Sequence, residues 1–347
     1  MASQHTIPHG LAVEHLTSLF ALAKLEDEWR GILDSQDDAT PFQHPDWILP
    51  WARRFVPNAI WAWSFRSQDG RLVGLVPSFR YERDDMRVVA MMGGGHSDWH
   101  DVIACRDWRF DIGRAFFAAL ERRRDRWDRC ELEQLPEASP LLQTTLPADL
   151  VEESRTPHEP CPVLALPGQG ASLAASVPGH QLARYRKYRR RAERLGELRL
   201  VRASERDAQR HFETFLRLHR ARWQVREGTG EAPVVEHRDF HAEVVERTAA
   251  RGSLRLYLLQ LGTKDVAALY GFRSARTLHC YAQGLDPDFA KLGPGMLLVG
   301  AVIEEAFAEG AEAIDFLRGE EPYKFQWGAK SQPTYRRVVM PRSSPSR

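Results

Sequence analysis

Apolar residues recur at helical spacing over residues 16–29 ahead of an acidic run, which predicts an amphipathic helix. A second helix is expected to start near TPFQHPDW and to carry Trp47, Leu49 and Trp51. The period then changes. IWAWSF and LVGLVPSFRY flank the polar SQDGR, with Asp69-Gly70 at the turn, so two strands joined as a hairpin are expected. RVVAMMGGGHSDWHDVIA reads as a strand, a glycine-rich loop and another strand; residues 112–124 return to helical spacing and 130–135 to a strand. Residues 136–179 are rich in Pro, Ser, Gly and Thr, with EPCPVLALP as one extended piece, and the boundary between halves is placed there.

The second half opens with the Arg-rich helix QLARYRKYRRRAERLGELRL and a helix around HFETFLRLHRARW. The polar loop REGTGEAP precedes a third helix, DFHAEVVERTAARG. Three strand-like runs follow, SLRLYLLQLG, VAALYGFR and TLHCYAQGLDP, then AKLGPG, the helix MLLVGAVIEEAFAEG and the strand AEAIDFLRG. The tail through PTYRRVVM is expected to return as a last strand. The two halves repeat one theme of helices followed by a strand, a tight polar turn and an apolar strand (WAWSF-SQDGR-LVGLVPSF against LYLLQLG-TKD-VAALYGFR). This is the pattern of a duplication, too long in period for a solenoid; a chance likeness of two hairpins is the alternative. The expected organisation is an N-terminal half over 1–150, a linker over 151–180 and a C-terminal domain over 181–347.

Composition narrows the classes. Of 347 residues, 43% are hydrophobic and 27% charged, ordinary globular usage, which excludes a disordered or fibrous main body. Lys plus Arg exceed Asp plus Glu by one, so any polyanionic partner must be met by a local patch. Cys105, Cys130, Cys161 and Cys280 lie far apart with no metal-ligand spacing, and read as reduced thiols. The N-terminus lacks the pattern of a signal peptide, and no run approaches the length that spans a bilayer; a cytoplasmic protein is expected.

Several groups carry possible chemistry. Amides in the first turn of a helix have no intrahelical partner and sit at the positive end of its dipole, so Gly293, Gly295, Met296 and Leu297 are candidate donors to a pyrophosphate. The plainer reading is that Gly-Pro-Gly makes the turn and Pro294 starts the helix. DFLRGEEPYKFQW offers Asp315, Arg318, Glu320, Glu321, Tyr323 and Lys324 at the end of a strand, where open sheets place ligands. His279 and Tyr281 alternate on the preceding strand and share a face, which either lines the cleft, with Tyr281 on the substrate, or packs as hydrogen-bonded core, the commoner fate of a strand histidine. His219, Arg222 and Trp223 lie three and four residues apart on one helix, facing one groove for a substrate or packing into the core, and REGTGEA beyond them is a candidate lid. GGGHSDWHD packs His96, Asp98, His100 and Asp101 together; the residue types suit a metal, the triple glycine suits a loop, and His96 and Asp98 are taken as substrate-facing with no metal assigned. Eight Arg or Lys fall between positions 184 and 199, an RNA-phosphate surface or, as favoured by the net charge, a solvated face supported by Glu193 and Glu197.

LHRARW, VAALYGF, YAQGLDPDFAKLGPGMLL and above all IDFLRGEEPYKFQWG resemble the GNAT acyltransferase superfamily, in the bacterial CelD-like branch related to FemAB transferases. The resemblance covers roughly 182–336, and more weakly the stretch from TPFQHPDW to GGGHSDWHDVI. It implies an α/β (α+β) fold of duplicated GNAT-like halves, two mixed twisted sheets flanked by helices, whose splayed central strands admit the pantetheine arm of an acyl-CoA. The chain departs from the superfamily loop Q/R-x-x-G-x-G/A in Ala290 and in Pro294, which has no amide to donate. The resemblance further implies Asp315, Arg318, Tyr323 and Lys324 as the floor of the site, with Tyr323 the acid that protonates the leaving thiolate. His279 is the further catalytic candidate. The implied activity is N- or O-acyl transfer from acyl-CoA, acetyl-CoA or longer, to a small or sugar-linked acceptor, with a place in surface polysaccharide biosynthesis. The rivals are an aminoacyl-tRNA donor on the same fold, which alone would bring in a nucleic acid, and a non-catalytic scaffold.

Overall fold

The computed structural model describes residues 10–168, 171–227 and 233–342. The chain runs through β1 (Ala12–Leu16), α1 (Leu19–Ala23), α2 (Glu26–Asp34), α3 (Pro45–Phe55), β2 (Ala62–Arg66), β3 (Leu72–Val76), β4 (Ser78–Arg83), β5 (Met86–Met91), β6 (Ile103–Ala104), α4 (Arg109–Arg122), β7 (Arg129–Pro136), α5 (Pro140–Gln143) and β8 (Leu150–Pro157). It continues through β9 (Cys161–Ala165), α6 (Gly179–Glu193), β10 (Leu198–Arg202), α7 (Ala208–Glu227), α8 (Pro233–Glu236), α9 (Arg238–Ala250), β11 (Leu254–Leu261), β12 (Lys264–Ser274) and β13 (Thr277–Leu285). The last elements are α10 (Pro294–Ala308), β14 (Ala313–Asp315), α11 (Pro322–Gln326), β15 (Lys330–Gln332) and β16 (Thr334–Pro341).

Two compact units divide this path: residues 1–160 with 333–347, and residues 161–332. The stretch 151–180, expected as a linker, instead supplies β8 to the first unit and β9 to the second. The C-terminal strand forms as expected, but β16 lies between β7 and β8 in the first unit's sheet. Both departures have one cause. Strand partners are chosen by register and burial between distant segments, which Pro- and Ser-rich composition does not report. The helix expected over 16–29 is also broken up: Ser18 accepts from the Ala21 amide and caps α1, while Leu16 ends the alternating strand β1.

The first unit holds an antiparallel sheet, β1-β2-β3-β6, and a five-stranded sheet, β4-β5-β7-β16-β8, in which only β5 and β7 run parallel. Phe65, Val73, Ile112, Phe116 and Trp127 are among its buried core, with α4 turning its apolar face inward. The second unit is built on one seven-stranded sheet, β10-β11-β12-β13-β14-β9-β15, again with a single parallel pair, β13 and β14. Leu182 and Tyr185 of α6 and Leu298, Val302 and Ile303 of α10 cover one face of this sheet. Phe212 and Phe215 of α7 pack on Tyr270 from the other. The hairpins whose likeness the sequence displays are β2–β3, in the first unit's antiparallel sheet, and β11–β12, in the second unit's mixed sheet.

His15 shows what burial does to a titratable group in the first unit. Its ring packs 5.2 Å from Trp61 and 4.5 Å from Trp63, and its Nε2 is buried with no hydrogen-bond partner. Burial, with Arg123 and Arg80 adding to it, lowers its pKa from 6.5 to about 4. Between those values the unfolded chain binds a proton that the folded chain refuses, so stability falls as the pH is lowered from 6.5 towards 4. Urea titrations across this window are expected to show that fall, and His15→Phe to flatten it; an unchanged pH slope in the variant would assign the acid sensitivity elsewhere.

Candidate active site

The second unit's sheet opens at one place. β13 and β14 pair from Thr277–Ala313 to His279–Asp315 and no further, while β13 continues to Leu285 against β12 alone. Just past the last parallel pair the β12–β13 register shifts, passing from Gly271–Cys280 to Tyr270–Ala282, so that Tyr281 is the extra residue of a bulge. A bulge twists its strand locally and ends regular pairing. The two parallel strands thus form a wedge whose open side is the stretch from Cys280 to Leu285.

The glycine loop follows directly. A 3-10 turn over Pro287–Leu292, capped by the Asp286 carboxylate, leads to Gly293 with φ 65° and ψ 54°, a left-handed conformation suited to glycine. A Cβ on Gly293 would lie 2.6 Å from the Tyr188 ring, so glycine is also what lets α6 approach the loop. Two of the four expected donors are already used. Gly293 gives its amide to Ala290 O at 3.0 Å and Leu297 gives its amide to Gly293 O at 3.1 Å, so both are spent within the loop and helix. Gly295 and Met296 keep first-turn amides outside the helical ladder, and a Cβ on Gly295 would meet only Leu285, at 3.5 Å. Beside the loop, Arg184 stacks over Tyr188; Arg186, Lys187, Arg190 and Arg191 of α6 are exposed, whereas Arg189 pairs with Glu193 and Glu304.

Across the open stretch of β13, α7 brings two of its three predicted residues together. A Cβ on Gly284 would lie 2.6 Å from the His219 amide nitrogen, a close approach of helix to strand that only glycine permits. His219 Nδ1 lies 2.8 Å from Gln283 O, and Arg222 Nη1 donates to the same oxygen at 3.3 Å. A carbonyl only accepts, so Nδ1 carries the hydrogen and the neutral ring leaves its lone pair on Nε2. That atom is buried without a hydrogen-bond partner, and burial, with Arg222 nearby, lowers the pKa of the ring despite the opposing bond to Gln283. Trp223 stands 6.4 Å from His219, ring to ring. From the other side the Gln283 amide donates to Tyr323 Oη at 3.3 Å; burial first, then Glu321, pushes that phenol well above its usual range, so it stays protonated. His219 and Tyr323 therefore bracket Gln283, one able to accept a proton and one able to give it.

The remaining predicted residues are placed differently. His279 Nε2 is 2.7 Å from Ser274 Oγ and its Nδ1 is 3.4 Å from Asp315 Oδ2, while the Leu317 amide donates to Asp315 Oδ1. This chain ties the last parallel pair together at the apex of the wedge. Lys324, expected among the catalytic groups, is 2% exposed, and its ammonium donates to the carbonyls of Leu317, Arg318 and Gly319 and pairs with Glu321. It is a strut of the turn that carries Arg318, because all of its hydrogens are committed to that turn. Tyr281 packs among Tyr270, Phe272 and His241. In the first unit His96 lies against Trp51 and Phe55 and Asp98 is 4% exposed, whereas Gly94, Gly95 and His100 of the same tract line a cavity. The candidate lid REGTGEA has its centre, 228–232, outside the described residues. Among the described residues no three His, Cys, Asp or Glu side chains are grouped to hold a metal, and no helix is long and apolar enough to cross a membrane.

Sequence reasoning passed over Gln283 and Ser274. Gln283 carries no local signal, since a glutamine on a strand acquires meaning only when a helix 64 residues away in sequence supplies His219. Ser274 closes a hairpin, where serine is unremarked.

Residues 179–325 match the profile of the acetyltransferase (GNAT) domain. No curated protein matches the chain in sequence. Among solved structures, FemX is similar over 93% of this chain and 96% of its own, with a TM-score of 0.61 and 9% identity. A conserved protein of unknown function from Bacteroides thetaiotaomicron is similar over 95% and 100%, at 0.59 and 12%. L-PGS from Bacillus licheniformis is similar over 92% of each chain, at 0.56 and 12%. At such identities the likeness is one of fold. The wedge between β13 and β14 and the glycine loop opening α10 both lie within 179–325, the segment similar to the acetyltransferase (GNAT) domain.

Proposed function

We propose that the protein transfers an acyl group from an acyl-CoA to an amine or hydroxyl of a small or sugar-linked acceptor, using the wedge of the second unit. The observation that carries this reading is the His219–Gln283–Tyr323 group on the stretch of β13 that has left β14, next to the Gly295 and Met296 amides. Acyl transfer from a thioester needs a proton removed from the attacking group and one returned to the departing sulfur. His219 Nε2 takes the proton as the acceptor atom bonds to the acyl carbon. The carbon–sulfur bond then breaks, and the Tyr323 phenol protonates the thiolate. Arg222 and the Gln283 carbonyl fix the His219 ring in the tautomer this requires. The pyrophosphate of the donor lies at the first turn of α10, where two amides and the helix dipole favour an anion.

Calorimetric titration with CoA and acetyl-CoA tests the donor. One site per chain is expected. In the first unit the gap beyond Ala90–Glu131, the last β5–β7 pair, is bridged by its own tract: His100 N donates to Gln134 O at 3.0 Å, and Ser139 Oγ to Asp101. Gly295→Glu, which puts a carboxylate at the phosphate position where a Cβ has room, is expected to abolish binding with little change in melting temperature. No binding by the parent sinks the acyl-CoA reading. It would leave the second reading, an aminoacyl-tRNA donor, which the exposed Arg186, Lys187, Arg190 and Arg191 beside the loop favour. That reading predicts binding of tRNA with steep salt dependence, weakened when these four are replaced by Gln.

A further inference from the structure

Helix α6 lies on the second unit's sheet by one face, where Gln181, Leu182, Tyr185 and Ala192 are buried. What it turns to solvent then follows from helical spacing. Lys187, Arg190, Arg191 and Arg194 fall at i, i+3, i+4 and i+7, so they form one row away from the buried face, and all four are exposed. Arg186 is exposed beside them. The two glutamates expected to support this face are used elsewhere: Glu193 pairs with Arg189 at 2.9 Å, and Glu197 lies 3.7 Å from Arg199. Among the described residues no carboxylate pairs with Arg186, Lys187, Arg190, Arg191 or Arg194. Like charges at this spacing oppose helix formation, and an anionic partner removes that opposition.

Two features of the same face say which polyanion fits. Leu195, one turn beyond Arg191, is 68% exposed, an apolar side chain set among the cations. The face also lacks the aromatic rings on which unpaired bases stack, because Tyr185 is buried and Tyr188 lies between Arg184 and Gly293. A nucleic-acid backbone would use the charges and leave Leu195 idle. A layer of acidic phospholipid uses both, since phosphates meet the cations and the acyl boundary just below them takes a leucine. The apolar face of α6 is already committed to the core, so the helix rests on the headgroups and does not sink between the chains. We propose that Lys187, Arg190, Arg191 and Arg194, with Arg186 and Leu195 at their margin, dock the second unit on an anionic phospholipid bilayer. The proposal goes beyond acyl transfer and rests on that reading only in that an acyl-CoA donor leaves this face without an RNA.

Sedimentation of the full chain with vesicles, without CoA, is the test, using an equimolar mixture of phosphatidylglycerol and phosphatidylcholine against phosphatidylcholine alone. Binding to the acidic vesicles only is expected, and it is expected to be lost as salt shortens the screening length from about 10 Å at 0.1 M to about 3 Å at 1 M. One cation near such a surface contributes about fivefold, so replacing Lys187, Arg190, Arg191 and Arg194 together by Gln weakens binding by about 10²-fold or more. Leu195→Ser weakens it about tenfold, the scale for a leucine side chain kept in water. Glutamine is a good helix former and the replaced groups are exposed, so the melting temperature is expected to hold. Should the fourfold variant melt early, Lys187→Gln with Arg191→Gln, expected at about 25-fold, carries the test. No binding to acidic vesicles, equal binding to neutral ones, or binding unchanged in the charge variants overturns the proposal. So does bulk tRNA bound more tightly than acidic vesicles at equal phosphate with Leu195→Ser without effect, which gives the face to RNA. Because no donor is present, failure here leaves the calorimetric result on CoA standing, and failure there leaves the vesicle result to be read by itself.

Discussion

Replacing His219 by glutamine lowers kcat/KM for acyl transfer by about 10²- to 10⁴-fold, the range for loss of a positioned general base. Glutamine can still donate to Gln283 O, so the local packing of α7 on β13 is preserved while the lone pair at Nε2 is lost. The pH profile separates a base from a structural ring. Burial lowers the His219 pKa, so the neutral, active form persists below the ordinary histidine value and activity is lost only as the pH falls through that lowered value. The parent is therefore expected to show an acid limb below 6.5, absent from the residual activity of the variant. A variant that keeps the limb, or that loses activity only through a raised KM, would move the base elsewhere. Asp315 at the wedge apex would then be the next group to replace.

The second large effect is on stability. Lys324→Met removes an ammonium that is 2% exposed and leaves the carbonyls of Leu317, Arg318 and Gly319 without their shared donor. A buried acceptor left without its donor costs about 1–3 kcal/mol, so losing the donor to three carbonyls removes a large part of the roughly 5–15 kcal/mol by which domains are stable. A urea midpoint well below the parent's is expected, with activity at low temperature falling in step with the folded fraction. A variant of parental stability but without activity would instead make Lys324 a catalytic group.

Much of this site can be read from local pattern, and the reasons it cannot all be read are physical. The glycine loop was visible because glycine, proline and the start of an apolar helix are adjacent in sequence. The sharing of its amides was not visible: whether Gly293 N turns back to Ala290 O depends on the 3-10 geometry that Tyr188 of α6 packs against. His219 and Arg222 could be placed on one helical face by spacing alone, but their common target, Gln283, follows from the docking of α7 at Gly284. Lys324 and Tyr323 are neighbours in sequence with opposite fates, one spent inside a turn and one directed at β13. Neighbouring residues on a short helix point in different directions, and only the surroundings decide which direction meets the site.

The sequence by itself determined the two hairpins and the loop that opens α10, because each depends on periodicity or turn chemistry over a few residues. The tertiary structure alone decided that β9 and β16 join the sheets they do, that β13 and β14 part after three residue pairs, and that the tract from Ser97 to Asp101 is packed within the first unit. Those outcomes are set by burial and pairing between segments far apart in the chain, where the free energy belongs to the contact and to neither segment alone.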